Sequence, residues 1–168
     1  MPIQLNPARH LLEFLKEEEF QQEIRDLHKQ GYLPNEATLQ AYIWNHLQSC
    51  LSRKISRGVV TYYQDYTIFI EAKTSEAKKK EFPDMSLRRK DTPDQQVHTI
   101  ELKHHAGKTH IGQTEWEKIW ADIDKLNNRN TPGIFLMTCP LSVSKEQLYS
   151  QINERCASNT EVIIVQCR

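Results

Sequence analysis

The stretch that most constrains the fold of this chain runs from residue 82 to residue 103, FPDMSLRRKDTPDQQVHTIELK. Residues 85–87 alternate apolar and polar side chains, residues 92–94 (TPD) form a turn sequence, and residues 97–102 resume a β-rich pattern. Together these features predict a β-hairpin that turns at Pro93.

Antiparallel pairing about Pro93 is expected to place Asp84 beside Leu102, between Glu101 and Lys103. Because side chains alternate along a strand, Glu101 and Lys103 point to one face and Leu102 to the other. The hairpin is therefore expected to bring two carboxylates and one ammonium group to the same spot.

A cluster of this kind is suited to a divalent cation. Mg²⁺ takes oxygen ligands and is usually held by one or two carboxylates together with water and phosphate. Asp84 and Glu101 are candidate ligands, and Leu102 is a candidate ligand through its backbone carbonyl. Lys103 would position a water nucleophile or stabilise charge that develops on a phosphate. We therefore expect Mg²⁺ as the cofactor, with Mn²⁺ as a substitute.

Composition places the chain among ordinary globular proteins. Its 168 residues are enough for one domain, and 38% of them are hydrophobic and 26% charged. No apolar run approaches the ~18 residues of a membrane span, and the start MPIQLNPARH lacks the apolar segment of a signal peptide. We expect a cytoplasmic protein without a membrane partner. The widely spaced cysteines are expected to be free, buried thiols: Cys50, Cys139, Cys156 and Cys167.

The formal net charge is zero, but it is unevenly distributed. Residues 53–110 carry 12 basic and 8 acidic side chains, whereas residues 1–52 carry 4 and 7 and residues 111–168 carry 6 and 7. The positive section contains the hairpin, which is compatible with a nucleic-acid partner. Two basic runs are either phosphate contacts or solvated loops: Lys78, Lys79 and Lys80, and Arg88, Arg89 and Lys90.

Two helices are predicted before the strands. Asn6 and Pro7 are typical of a helix start, and apolar residues recur at helical spacing from there to Gly31. Asn35 is a good cap for a second helix that extends to about residue 53. Glu36, in its first turn, either complements the helix dipole or adds a third acidic group to the site.

The rest of the chain alternates strand and helix patterns. Besides the hairpin, strands are predicted at residues 59–63, 66–72, 134–137 and 161–165, with residues 73–81 as a loop or short helix. Capping-box patterns at Thr114/Glu117 and Ser144/Gln147 predict two more helices, the second ending at about Cys156. The order α, α, β, β, β, β, α, β, α, β predicts one α/β domain over residues 1–168, with residues 1–31 as a helical extension and residues 35–168 as the core.

Other polar residues near the hairpin have two possible roles each. Gln113 is either a substrate contact or an ordinary loop amide, and Asp122 and Lys125 form an i,i+3 pair that the helix itself explains. The loop after the hairpin fits no zinc-binding pattern, so its histidines either contact phosphate, play a structural role or ligate a metal: His104, His105 and His110.

Pro83-Asp84 and the Glu101-Leu102-Lys103 triplet, between a helix that bears Glu36 and a later helix and strand, resemble the PD-(D/E)XK nuclease superfamily over about residues 35–138. Pro93-Asp94 also matches the first half of that motif. However, Asp94 lies at the predicted turn, some 20 Å from the site at ~3.3 Å per residue. Asp84 is therefore the favoured motif aspartate.

The resemblance implies a restriction-endonuclease-like fold, with an αβββαβ core and a mixed central sheet flanked by helices. It implies a metal-dependent endonuclease that hydrolyses DNA phosphodiester bonds. Asp84 and Glu101 match the metal ligands, Lys103 the catalytic lysine and Glu36 the helix glutamate. Gln113 falls where some members keep a glutamine, without the usual aromatic partner after it. A homodimer is compatible with the resemblance.

Two functions of other classes are compatible with the same sequence. A catalytically silent protein of this fold would bind nucleic acid or another protein. A subunit would use its first two helices to pair with a larger partner such as a methyltransferase or helicase. The intact set of Asp84, Glu101 and Lys103 favours an enzyme, because a binding module has no need to crowd these charges.

Overall fold

The structure is a computed structural model that describes residues 6–52, 65–70 and 83–167. Within these ranges, five helices flank a five-stranded mixed sheet. In chain order the elements are α1 Pro7–Lys16, α2 Glu18–Lys29, α3 Glu36–Ser52, β1 Tyr66–Ile70, β2 Met85–Arg89, β3 Gln96–His104, α4 Gln113–Asn127, β4 Gly133–Pro140, α5 Lys145–Arg155 and β5 Thr160–Cys167. The α/β prediction is confirmed. The predicted strand at residues 59–63, the segment 73–81 and the lysines at 78–80 lie outside the described ranges.

The sheet has the order β1-β2-β3-β4-β5 and divides into two halves. β1, β2 and β3 pair antiparallel, whereas β3, β4 and β5 pair parallel. Parallel neighbours need a long crossover connection, and α4 and α5 supply it here. The predicted parallel strand after a helical crossover is therefore confirmed, and β3 is the strand that joins the two halves.

A hydrophobic core covers each face of the sheet. Ile134 and Leu136 of β4 belong to the core of the first face, whereas Phe135 and Met137 belong to the core of the second. Helices α1, α2 and α3 cover the first face, and α4 and α5 cover the second. Every residue of β4 is buried, as expected for a parallel strand with helices on both sides. None of the helices in the described residues is long and apolar enough to cross a membrane.

The N-terminal region forms two helices, so the prediction of one continuous helix to Gly31 is wrong. α1 ends at Lys16, and the backbone of the next residue, Glu17, is extended. The buried Gln21 side chain donates a hydrogen bond to the Leu15 carbonyl at 3.2 Å. Leu15 and Phe20 are five residues apart, which would rotate the apolar face by about 140° in an unbroken helix. The break allows the buried residues of both helices to face the same core.

Helix starts were predicted with mixed success. Asn6 caps α1 by accepting from the Ala8 and Arg9 amides, and Asn35 accepts from the Thr38 amide at 3.0 Å. Ser144 accepts from the Gln147 amide at 3.3 Å, which confirms the cap of α5. The cap predicted at Thr114 is wrong. α4 begins at Gln113, after an extended Gly112 whose carbonyl accepts the first helical hydrogen bond.

The predicted hairpin is present, but its register differs by one residue. The Gln95 amide donates to the Thr92 carbonyl at 3.0 Å, which closes the turn around Pro93-Asp94. Met85 lies opposite Ile100, one residue from the expected pairing, and a bulge lies between Leu87 and Arg88. As a result, Asp84 precedes β2 on the Glu101 side of the hairpin.

The prediction that the cysteines form no disulfides is confirmed, and the prediction that they are buried is confirmed at three of the four positions. None of the four cysteines, all of which are among the described residues, forms a disulfide bond, and Cys156 is the half-buried one. Burial raises the pKa of Cys139 and Cys156 to about 11 and that of Cys167 to about 12. These thiols are therefore protonated and unreactive at neutral pH.

The Gly31→Ala variant is expected to be less stable by about 1–2 kcal/mol, because Gly31 has a φ of 80° where other residues are strained. A Cβ at this position would meet no atom within 4 Å, so the loss would report backbone strain alone. Urea denaturation followed by circular dichroism measures it.

The matched control is Gly107→Ala, where a Cβ also meets nothing within 4 Å but φ is outside the left-handed region. Its stability should be unchanged or up to about 1 kcal/mol higher. Equal effects of the two substitutions would contradict the backbone explanation.

Candidate functional site

Six charged side chains meet near the carboxyl end of β3. We call them the acidic cluster: Glu36, Asp84, Glu101, Lys103, Asp122 and Lys125. β3 supplies two of them, α3 and α4 supply three, and the remaining aspartate comes from the residue before β2. The cluster therefore forms only when both helical layers and the hairpin are in place.

Asp84 is fixed from two sides. Its Oδ2 accepts a hydrogen bond from the Leu102 amide at 2.7 Å, which ties it to β3. Gln40 of α3 donates its Nε2 to the Asp84 carbonyl at 2.9 Å. The residue is 6% exposed. The structure thus places Asp84 beside the Glu101-Leu102-Lys103 segment, and the one-residue register difference puts it on the Glu101 side, because residues opposite each other in a sheet share a face.

Glu101 is fully buried on the second face of the sheet. Lys125 Nζ lies 2.9 Å from its Oε1, whereas Oε2 has no hydrogen-bond partner among the described residues. Burial raises the pKa of Glu101 well above its ordinary value, and the nearby Asp84 and Asp122 carboxylates raise it further. A buried carboxylate with an unused acceptor and two acidic neighbours is a costly arrangement, which a bound cation would relieve.

Lys103 is held between two carboxylates. Its Nζ lies 2.6 Å from Asp122 Oδ2 and 3.4 Å from Glu36 Oε2, and its side chain is only 13% exposed. Desolvation lowers the pKa of Lys103, but Asp122 and Glu36 outweigh it, so the pKa ends above its ordinary value. Lys103 is therefore an ammonium group at neutral pH. Its two ion pairs fix its position, and it cannot act as a base.

Asp122 and Lys125 are site residues that the sequence reasoning missed. The predicted i,i+3 pair exists, with Lys125 Nζ 2.6 Å from Asp122 Oδ1, but both side chains also reach β3. Asp122 is 7% exposed and bridges the two lysines. The signal was present in the spacing, because Asp122 lies three residues after Ile119 and four before Leu126 on the apolar stripe of α4.

Glu36 lies against Lys103, at the more exposed side of the cluster. Its side chain is 43% exposed, more than any other side chain in the ion pairs of this site. Burial raises the pKa of Glu36, Lys103 lowers it and Asp84 raises it again. Of its two predicted roles, the structure supports membership of the acidic group, although its place in the first turn of α3 also suits the helix dipole.

The cluster contains more carboxylates than ammonium groups. Four carboxylates and two ammonium groups leave two negative charges in excess when all are ionised. Among the described residues, no three His, Cys, Asp or Glu side chains are arranged to hold a metal ion by themselves. The residues fit the smaller ligand set that Mg²⁺ uses, one or two carboxylates completed by water and phosphate.

The arginines of the hairpin lie away from the cluster. Arg88 and Arg89 are four and five residues from Asp84, about 13–17 Å at ~3.3 Å per residue. Arg88 stacks over the Phe69 ring at 5.1 Å, and Arg89 pairs with Asp91 at 2.7 Å. The structure does not bring these predicted phosphate contacts to the acidic cluster, because the strand carries them toward the turn.

Two other predicted contacts are also outside the cluster. His104 faces α2, where its ring lies 5.6 Å from that of His28, and its Nδ1 is 2.8 Å from Thr138 Oγ1. Alternation along β3 separates it from Lys103. Gln113 is exposed at the start of α4 and donates to Glu117 Oε1 at 3.3 Å. Neither residue contacts the acidic cluster.

His105 follows the site and is unusual for a histidine. It is 6% exposed, and neither ring nitrogen has a hydrogen-bond partner among the described residues. Burial lowers the pKa of His105 to about 4, with the charges of Lys108 and Lys103 as smaller causes. It is therefore neutral at neutral pH. His110 is exposed and lies 3.2 Å from Thr109 Oγ1.

Comparison of the chain with protein-family models, with curated proteins and with solved structures gave no match.

The Glu101→Gln variant is expected to be more stable than the wild type at pH 8, by roughly 0.5–2 kcal/mol. Because the pKa of Glu101 is raised in the folded state, protonation of Glu101 stabilises the fold. This contribution to the free energy of unfolding is complete below about pH 4.5 and is lost as the pH rises through the folded-state pKa. The amide has no such proton to lose. The difference should therefore shrink as the pH falls toward 4.5.

Urea denaturation of both proteins between pH 4.5 and pH 8.5 measures this difference. Glu154→Gln on the exposed surface of α5 removes the same charge and should show no comparable pH dependence. A Glu101→Gln protein that is less stable than the wild type at pH 8 would contradict the assignment of Glu101 as a destabilised carboxylate.

Proposed function

We propose that this protein is a Mg²⁺-dependent endonuclease of the PD-(D/E)XK type that hydrolyses DNA phosphodiester bonds. One observation carries the proposal: Asp84, Glu101 and Lys103 lie together at one end of β3 with Glu36 and Asp122 around them. Charges of this kind are expensive to bury and are concentrated where chemistry requires them.

The order of the elements supports the proposal. α3 precedes three antiparallel strands, α4 crosses over, and β4 lies parallel to β3. This is the αβββαβ order expected of a restriction-endonuclease-like core, with the motif residues on and beside its second and third strands. The two N-terminal helices and the α5-β5 unit extend it on either side.

Asp84 and Glu101 are the residues that would hold Mg²⁺, with the Leu102 carbonyl as a further ligand. When bound, Mg²⁺ would supply Lewis acidity toward the phosphodiester group. The chain contributes a nearly dry setting, because Glu101 is fully buried and Asp84 is 6% exposed. In such a setting fixed charges act more strongly than in water.

Lys103 would act as a fixed positive charge. Its raised pKa keeps it protonated, so it is suited to orienting a water molecule and to stabilising negative charge on the phosphate, and is unsuited to removing a proton. Asp122 would position Lys103 through their 2.6 Å ion pair. Lys125 would offset the electrostatic repulsion between the Glu101 and Asp122 carboxylates by pairing with both.

A second candidate function is a catalytically silent protein of the same fold that binds nucleic acid or another protein. The observation in its favour is that Lys103 and Lys125 already pair with the carboxylates of the cluster. A closed ion-pair network of this kind can persist for structural reasons alone. Metal binding and cleavage separate the two candidates.

In a cleavage assay with labelled DNA and Mg²⁺ or Mn²⁺, the wild type should cut and the Asp84→Asn, Glu101→Gln and Lys103→Ala variants should each lose roughly a hundredfold or more of the rate. Each substitution removes a ligand or the fixed positive charge at the reacting phosphate. Circular dichroism should show that all three variants fold.

Asp94→Asn is the matched control, because Pro93-Asp94 repeats the motif dipeptide at the exposed turn of the hairpin. It should cut at the wild-type rate. Cleavage that persists in the three site variants, or that disappears in Asp94→Asn, would exclude the proposed site.

Mg²⁺ should raise the thermal midpoint of the wild type, since a ligand that binds only the folded state stabilises it by RT ln(1 + [L]/Kd), about 2.7 kcal/mol at a hundredfold excess over Kd. The shift should disappear in Asp84→Asn, which lacks one proposed ligand. The measurement is differential scanning fluorimetry in a titration with Mg²⁺ up to about 10 mM. Asp94→Asn is the control that should keep the shift. No shift in the wild type would favour the silent candidate.

A further inference from the structure

A cavity of about 430 Å³ lies between α2 and the carboxyl ends of β4 and β5, outside the acidic cluster. We call it the cationic cleft. Its charged lining residues are Arg25, Asp26, Lys29 and Lys145, and Gln22 and Gln166 add amide groups. Three cations and one carboxylate line the cavity, and the Glu18 carboxylate that pairs with Arg25 lies beside them. The cleft and its surroundings therefore carry one positive charge in excess, opposite in sign to the acidic cluster.

The sequence of α2 explains how this surface arises. Gln22, Arg25, Asp26 and Lys29 follow the i, i+3, i+4, i+7 spacing, so they share one side of the helix. The buried residues of α2 include Ile24, which packs in the first core. The helix is thus held in place by its apolar side while it presents the polar side to the cleft.

The cations differ in how they are used. Arg25 already donates to Glu18 at 2.6 Å and to the Gln22 amide oxygen at 2.9 Å. Neither Lys29 nor Lys145 forms an ion pair with any residue in the described part of the chain. Lys145 is also the first residue of α5, where the helix dipole favours an anion. Lys29 is therefore available to a negatively charged ligand, and Lys145, among the described residues, shares its charge only with the nearby Glu18 carboxylate.

The cleft and the acidic cluster lie toward the same end of the sheet. β3, β4 and β5 are parallel, and Lys103 is level with Met137 and, through it, with Ile164. Two strand spacings separate β3 from β5, about 10 Å, and Gln166 lies two residues beyond Ile164, about 7 Å further along. The cleft is therefore roughly 12–15 Å from the cluster.

We propose that the cationic cleft binds a backbone phosphate of the same nucleic-acid molecule that the acidic cluster cuts. This inference rests on the proposed function and names where its substrate is held. A site with excess negative charge repels a polyanion until a metal is bound, so affinity has to come from cations elsewhere. Lys29 and Lys145 are placed to supply it within a few nucleotides of the reacting phosphate.

The test measures, by fluorescence anisotropy, the binding of a fluorescein-labelled DNA duplex and of its single strand in the presence of Ca²⁺. The NaCl concentration is varied over roughly 50–200 mM, the range in which phosphate contacts show their salt dependence. The Lys29→Gln/Lys145→Gln double variant should bind about tenfold or more weakly. Its log–log salt slope should be smaller by about 1.4–1.8, for two lost phosphate contacts.

Lys16→Gln is the matched control. Lys16 pairs with Glu161 near the amino end of β5, so Lys16→Gln removes one positive charge by the same Lys→Gln change at the opposite end of the parallel strands. It should leave affinity and slope unchanged. Thermal melting of each variant checks that the fold is retained.

The outcomes separate this inference from the proposed function. A double variant that binds like the wild type overturns the cleft, even if cleavage at the acidic cluster is found. Loss of binding in the double variant without any cleavage by the wild type supports the cleft and overturns the nuclease. A wild type that binds neither DNA form overturns both. Inorganic phosphate that binds alone as tightly as DNA would mark a free-phosphate site and overturn the inference.

Discussion

The burial of Glu101 is the constraint on which the rest of this structure depends. An ionised carboxylate in a protein interior costs several kcal/mol unless charges of opposite sign accompany it. Lys125 reaches Glu101 from α4, Asp122 holds Lys125 and Lys103, and Lys103 extends the chain of charges to Glu36 on the other helical layer. One buried charge thus links both faces of the sheet.

This network leaves the site with more negative charge than its own lysines neutralise. Burial keeps the pKa of Glu101 well above its ordinary value even beside Lys125, and the Asp84 carboxylate, held by the Leu102 amide, raises it further. The stability lost in this way is typical of sites whose geometry serves a ligand or a reaction. Lys103 and Lys125 remain protonated and are fixed by their ion pairs. The cluster therefore has two positive charges at defined positions as well as an excess of negative charge.

Local patterns in the chain predicted much of the architecture. The turn at Pro93, the caps at Asn6, Asn35 and Ser144, and the crossover to a parallel β4 depend on neighbouring residues or on period alone. The break at Glu17 and the one-residue register difference of the hairpin were not predicted. Both depend on how the segments pack against the core, which short-range patterns do not contain.

The sequence by itself determined which chemical groups are available and on which strand or helix they lie. Alternation placed Glu101 and Lys103 on one face of β3, and it did so because period two is a property of the strand itself. Only the tertiary structure decided that Asp122 and Lys125 complete the site, since they approach β3 from a helix about 20 residues later in the chain. The packing of α4 on the sheet sets the distances between these residues and β3. The i,i+3 spacing predicted the pair of Asp122 with Lys125 but gave no indication that Lys103 and Glu101 are their further partners.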